Sequence, residues 1–207
     1  MDRTRGRPTG NPLAGRETVK SNACTIIFGR FNPPTTGHEK VINKGAAIAG
    51  KDGLIIYPSR SIDKKNNPLD VNTKIKFMRT IFHQYRDCII DDPGIRTFMD
   101  ALTAINQKNC LAVNIVVGSD RHDEFESKAL KYNGVLYNFD IIRVVDAGIR
   151  DPLAGDITGM SASKMRKAAE NNDFASFRSG TPSSASDDYT RIIFDAVRKG
   201  MGLEEPN

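Results

Sequence analysis

The 207-residue chain has no tryptophan, only three histidines and only three cysteines, and its aromatic content is 7%. No apolar run approaches the roughly 20 residues that a membrane-spanning helix needs, and the N-terminus has no hydrophobic signal core. No membrane partner is therefore expected, and the cytoplasm is the default location. Cys24, Cys88 and Cys110 each lie in or beside an apolar, strand-like run, without the close pairing of zinc sites and dithiol motifs. They read as buried thiols in a reducing compartment. None has the basic, exposed setting that favours a thiolate, which argues against cysteine catalysis. No metal-ligand cluster and no Ser/His/Asp spacing stands out, so the expected metal-ligand set is none.

Positive charge is present but unevenly placed. Residues 1–22 hold Arg3, Arg5, Arg7, Arg16 and Lys20 against Asp2 and Glu17, which puts +3 of the net +5 on this short stretch. The rest is nearly balanced, and nucleic acid is not the expected partner. The same stretch has Gly6, Pro8, Gly10, Pro12 and Gly15 with no hydrophobic period, and reads as a disordered basic tail. Such a tail is either solvated or an arm that docks an unknown partner. With 39% apolar and 27% charged residues, the remainder can build one ordinary α/β domain. Its expected span is 23–178, followed by a loop and a C-terminal helix over 179–207 that packs on it. A homo-oligomer is left open.

Five apolar, β-branched runs read as strands: Cys24–Phe28, Gly53–Tyr57, Cys88–Asp91, Leu111–Val117 and Asp140–Val145. Helical periods separate them. Ile75, Met78 and Phe82 form one apolar stripe, Phe98, Leu102 and Ile105 another, and Ile192, Ile193, Ala196 and Val197 a third, in the closing helix. Strand, helix and strand in alternation predict right-handed βαβ units, hence a five-stranded parallel sheet flanked by helices.

The chain is organised around Phe28-Gly29-Arg30-Phe31-Asn32-Pro33-Pro34-Thr35-Thr36-Gly37-His38-Glu39, where the first strand ends and a helix begins. The first peptide N–H groups of a helix are unpaired and carry partial positive charge, so a glycine turn there suits a phosphate. Thr35 and His38 add side-chain donors. A second helix start follows the long loop from Asp146 to Gly159, at Ser161-Ala162-Ser163-Lys164-Met165-Arg166. Lys164 and Arg166 in a first helical turn oppose the usual acidic preference, a conflict that a bound anion resolves.

Thr35-Thr36-Gly37-His38 resembles the first motif of the nucleotidyltransferase superfamily (cytidylyltransferase-like enzymes), which is His or Thr, any residue, Gly, His. Met160-Ser161-Ala162-Ser163-Lys164-Met165-Arg166 resembles its second, Ile-Ser-Ser-Thr-x-x-Arg, with Met for Ile, Ala for the second Ser and Ser for Thr. The Gly29-Arg30-Phe31-Asn32-Pro33 lead-in is similar to that of nicotinamide mononucleotide adenylyltransferases, and the body is similar to cytidylyltransferase-like proteins of large tailed phages. The resemblance spans about residues 24–178 and implies a Rossmann-like domain.

It implies transfer of a nucleotidyl group from ATP or CTP to a small phosphomonoester, with pyrophosphate released and Mg2+ travelling with the triphosphate. His38, Thr35, Arg166 and Lys65 are the implied catalytic residues, with Lys64 the alternate for Lys65 beside the acceptor phosphate. Gly29, Arg30, Phe31, Asn32, Gly37, Gly118, Ser119, Asp120, Arg121, Ser161, Ser163 and Lys164 are the implied nucleotide contacts. A nicotinamide mononucleotide-type adenylyltransferase leads among the acceptors. Pantetheine-phosphate, sugar-phosphate and polyol-phosphate acceptors remain, as does a non-catalytic nucleotide-binding or structural protein that retains the fold.

Overall fold

The computed structural model describes residues 23–50, 53–148 and 160–203. The basic tail, most of the loop before the second motif and the last four residues lie outside them. Four parallel strands, β1 (Ala23–Gly29), β2 (Leu54–Pro58), β3 (Ala112–Val117) and β4 (Ile141–Asp146), form one sheet in the order β2-β1-β3-β4. Seven helices accompany them among the described residues: α1 (Thr36–Ala49), α2 (Val71–Ile81), α3 (Phe98–Gln107), α4 (His122–Tyr132), α5 (Ala162–Glu170), α6 (Phe174–Gly180) and α7 (Asp187–Met201).

The expected fifth strand is a correction. At Cys88–Asp91 the structure has the end of a 3-10 turn (His83–Cys88) and a single bridge, Ile56 to Ile89, with Ile90 N–H donating to the Ile56 carbonyl at 2.9 Å. The run is apolar because Cys88 and Ile89 are buried, not because it continues a ladder. Three apolar residues in a row cannot by themselves distinguish these outcomes. The thiol expectation is also corrected for two cysteines. Cys24 and Cys110 are joined as a disulfide with Cα atoms 6.0 Å apart, and Cys88 is the free, buried one.

The strands alternate faces, as a period of two requires. Ile27, Ile56 and Val116 join Ile42 of α1, Met78 of α2, Met165 of α5 and Phe194 of α7 in one core. Ile26, Ile115 and Val117 join Leu102 of α3 and Phe125 of α4 in the other. Each fully buried isoleucine or leucine here contributes about 1.5–3 kcal/mol relative to exposure. Among the described residues no helix is long and apolar enough to cross a membrane.

This strand order places the site. From β1 the chain runs outward through α1 to β2, then returns to place β3 on the other side of β1. Between the carboxyl ends of β1 and β3 the connections diverge, and a crevice opens there.

Candidate active site

α1 begins at Thr36 because Thr35 caps it. Thr35 Oγ1 accepts from His38 N–H at 3.2 Å, and Thr35 N–H donates to His38 Nδ1 at 3.0 Å, a reciprocal capping box closed by a histidine. Because a main-chain N–H can only donate, Nδ1 is the acceptor and the ring proton resides on Nε2. Phe31 packs against the same ring at a tilt of 41° with centroids 4.6 Å apart, and it holds φ at 47°, an uncommon backbone conformation for a bulky side chain. Gly29 makes room for this: a Cβ there would lie 3.0 Å from the Phe31 ring.

The turn between β1 and α1 is tied down from two sides. Asn32, fully buried, donates from Nδ2 to the Leu69 carbonyl at 3.1 Å and accepts Leu69 N–H at 3.0 Å. From the other side comes Arg166, in the second turn of α5. Its Nη1 donates to the Asn32 carbonyl at 2.8 Å and its Nη2 to Ser163 Oγ at 3.1 Å. Burial is the main cause that holds the Arg166 pKa below its ordinary value, and the guanidinium of Arg30 adds to it. Two cations are thus held near each other at one end of the crevice.

The crevice is a cleft of about 620 Å³. Of the residues singled out from sequence, Gly29, Arg30, Phe31, His38, Gly118, Asp120, Arg121, Ser161, Ser163 and Arg166 line it. Ser161 also caps α5, accepting Lys164 N–H at 3.2 Å. Reasoning from sequence missed the rest of the wall, chiefly Phe28, Val41, Glu124 and Phe125. Glu124 and Phe125 fall in the first turn of the helix that leaves the Gly118 turn, and that adjacency is the signal that could have found them.

The others do not line the cleft. Thr35 is fully buried in its cap, Asn32 in its bonds to Leu69, and Gly37 inside α1. Ser119 donates to Asp146 Oδ1 at 2.7 Å, and Lys164 is exposed. Lys65 is also exposed, on a turn that Asp63 builds by accepting Asn66 N–H at 2.6 Å and Lys65 N–H at 3.0 Å. Lys64 reaches over the end of α7 instead: its Nζ would lie 3.5 Å from a Cβ placed at Gly202. Among the described residues no group of three metal-ligating side chains occurs.

A family model described as cytidylyltransferase-like matches residues 26–174, a span that runs from within β1 through α5 and contains both helix starts that face the cleft. The chain belongs to the cytidylyltransferase-like family, within the nucleotidyltransferase superfamily. A protein of Sulfurovum sp. (strain NBC37-1), described as a probable nicotinate-nucleotide adenylyltransferase, is 28% identical over 100 residues. That match spans 46% of this chain and 53% of the relative, about half its length. A crystal structure from Vibrio parahaemolyticus, of a protein assigned as a nicotinate-nucleotide adenylyltransferase, superposes with a TM-score of 0.52. It covers 88% of this chain and 96% of its own at 16% identity, which is likeness of fold.

Proposed function

We propose that this chain transfers a nucleotidyl group from a nucleoside triphosphate to a phosphomonoester, and that the pair is ATP with a pyridine mononucleotide of the nicotinamide or nicotinate type. The observation that carries the reading is the convergence of Arg30, His38, Ser161, Ser163 and Arg166 on one cleft between the ends of β1 and β3. Two helix starts and two guanidinium groups form a site for several adjacent negative charges. The two relatives support the acceptor class through their names.

The reaction asks little covalent chemistry of the protein. An oxygen of the acceptor phosphate attacks the α-phosphorus, a new P–O bond forms, and the bond from the α-phosphorus to the bridging oxygen breaks as pyrophosphate departs. The acceptor is already a competent nucleophile, so catalysis consists of alignment and stabilisation of charge. His38, with its proton on Nε2, serves as a neutral donor to the transferring phosphoryl group. Ser161, Ser163, Arg166 and Arg30 hold the outer phosphates, and the apolar wall of Phe28, Val41, Val117 and Phe125 receives the base. Magnesium would travel with the triphosphate and neutralise part of its charge.

Pyrophosphate release with magnesium tests this, with ATP and CTP each crossed against nicotinamide and nicotinate mononucleotides and pantetheine, sugar and polyol phosphates. Release with ATP and a pyridine mononucleotide alone is the expected result. Release with another pair would keep the reaction and replace the substrates. Silence across the panel would overturn the reading.

A further inference from the structure

Outside the cleft, one group has no role in the chemistry above and no ordinary structural excuse. Lys74, in the first turn of α2, is fully buried, with 0% of its surface exposed. Among the described residues it forms no ion pair with any carboxylate. Its ammonium donates to a neutral atom, the main-chain carbonyl of Ser59, immediately after β2. The charges that act on it are Arg60, which opposes the ammonium, and Asp70, the cap of α2, which favours it. Burying a lysine without a counter-ion costs several kcal/mol, and an apolar side chain at this place would avoid that cost. α2 already has its apolar stripe in Ile75, Phe77, Met78 and Ile81, so the helix does not need Lys74 for packing.

What the lysine holds leads directly to the cleft. The peptide whose carbonyl it grips belongs to Ser59, and Ser59 N–H donates to the Gly29 carbonyl at 2.7 Å. Gly29 lines the cleft, and the next two residues are Arg30 and Phe31, which line it too. Lys74, Ser59 and Gly29 thus form one hydrogen-bonded chain from the interior of α2 to the start of the proposed phosphate turn. The Asn32–Leu69 pair binds the far end of the same turn to the same connection, and so the β2–α2 segment holds the turn at both ends.

We propose that Lys74 is a positioning residue for nucleotidyl transfer, a buried cation that fixes Gly29 and Arg30 through the main chain of Ser59 without itself touching substrate. The inference rests on the proposed reaction and adds to it a residue that no cleft contact would reveal. Its consequence is that geometry, not fold, fails when the ammonium is lost.

The test compares the full chain with Lys74→Met and Lys74→Arg. Three quantities are read: the thermal midpoint, kcat and KM for pyrophosphate release, and hydrogen exchange at the Ser59 and Arg30 amides. In Lys74→Met the exchange at both amides accelerates, and kcat falls about tenfold to a hundredfold with a smaller change in KM, the size expected for a misplaced reacting group. Lys74→Arg, which keeps a donor, restores most of kcat. A folded Lys74→Met with kcat within about twofold of the native chain and unchanged exchange at Ser59 overturns the proposal. If neither variant folds, the native chain decides: a Ser59 amide that exchanges as fast as an open loop overturns it, and one among the slowest supports it. Absence of turnover in the native chain on every substrate pair would instead overturn the proposed reaction, while the exchange comparison would still report on the link.

Discussion

Arg166 Nη1 lies 2.8 Å from the carbonyl oxygen of Asn32, across 134 residues of sequence, and it joins the second motif of the chain to the first. Its other amino group donates to Ser163 within its own helix. A single planar guanidinium therefore fixes the turn between β1 and α1, orders a serine on the cleft wall and brings positive charge to the cleft.

Two consequences separate at this residue. Arg166→Ala removes the charge and leaves the buried Asn32 carbonyl unpaired, and the expected loss is about 10²–10³ in kcat, or ~3–4 kcal/mol. Arg166→Lys keeps the charge but has no fork with which to span Asn32 and Ser163, so it recovers little. Steady-state pyrophosphate release on folded variants checks this, and a lysine variant near native turnover would show that charge alone matters.

His38→Ala should remain folded, because Thr35 Oγ1 still accepts the main-chain N–H of residue 38, while turnover drops by about 10²–10³. The cost to stability is limited to one side of a capping box, on the order of 1 kcal/mol. Comparing the denaturation midpoint with kcat on one preparation checks both. Near-normal turnover would remove His38 from the chemistry.

The contrast between His38 and Lys74 shows what a sequence can disclose. Thr35, Gly37 and His38 sit within four residues of one another, at a place where strand, turn and helix signals coincide, so local physics suffices to find them. The same holds for Ser161 and α5, and for the alternating faces of β1 and β3. Lys74 is hidden for the opposite reason. It stands next to Ile75 in an amphipathic period, where a lysine reads as solvated, and only tertiary packing shows it to be buried. The Cys24–Cys110 bridge spans 86 residues and is invisible to spacing. Asn32 illustrates a third case: it lies inside a recognisable motif, but its side chain serves Leu69 rather than the cleft. The run at Cys88–Asp91 misleads because burial and strand pairing leave the same apolar signature.

Gly200, near the end of α7, packs against the β2–α2 segment so closely that a Cβ would lie 2.0 Å from the Pro68 carbonyl oxygen. That oxygen is main chain and cannot swing away. Gly200→Ala should therefore destabilise the fold by about 1–3 kcal/mol, despite the better helix propensity of alanine, because overpacking outweighs it. Gly180→Ala instead meets Met165, whose Cγ would lie 2.8 Å away, and a side chain can shift where a main-chain oxygen cannot, so its cost should be smaller. Chemical denaturation of the pair checks the order, and the reverse order would mean that α7 can shift on its support.

Burial of Lys74 also leaves a signature in the pH dependence of stability. Desolvation, aided by Arg60 and opposed by Asp70, brings its pKa from 10.5 down to about 8 in the folded chain. Between these values the unfolded chain binds a proton that the folded chain has already released. Unfolding then takes up a proton, so stability rises as pH increases through this window, by an eventual total of about 3 kcal/mol. Tyr137 acts in the opposite direction but later. Its folded pKa is pushed up to about 12, so stability from that group is lost only once the unfolded tyrosine ionises, near pH 10. The informative interval is therefore pH 8 to 9.5, in which the native chain should gain stability relative to Lys74→Met at constant salt, every other group being common to both proteins. Urea midpoints at half-unit steps resolve this. A rise of equal slope in both proteins would assign the proton to another group and leave the Lys74 ammonium charged across the whole range, whereas a rise only in the native chain identifies the buried lysine as the site that titrates.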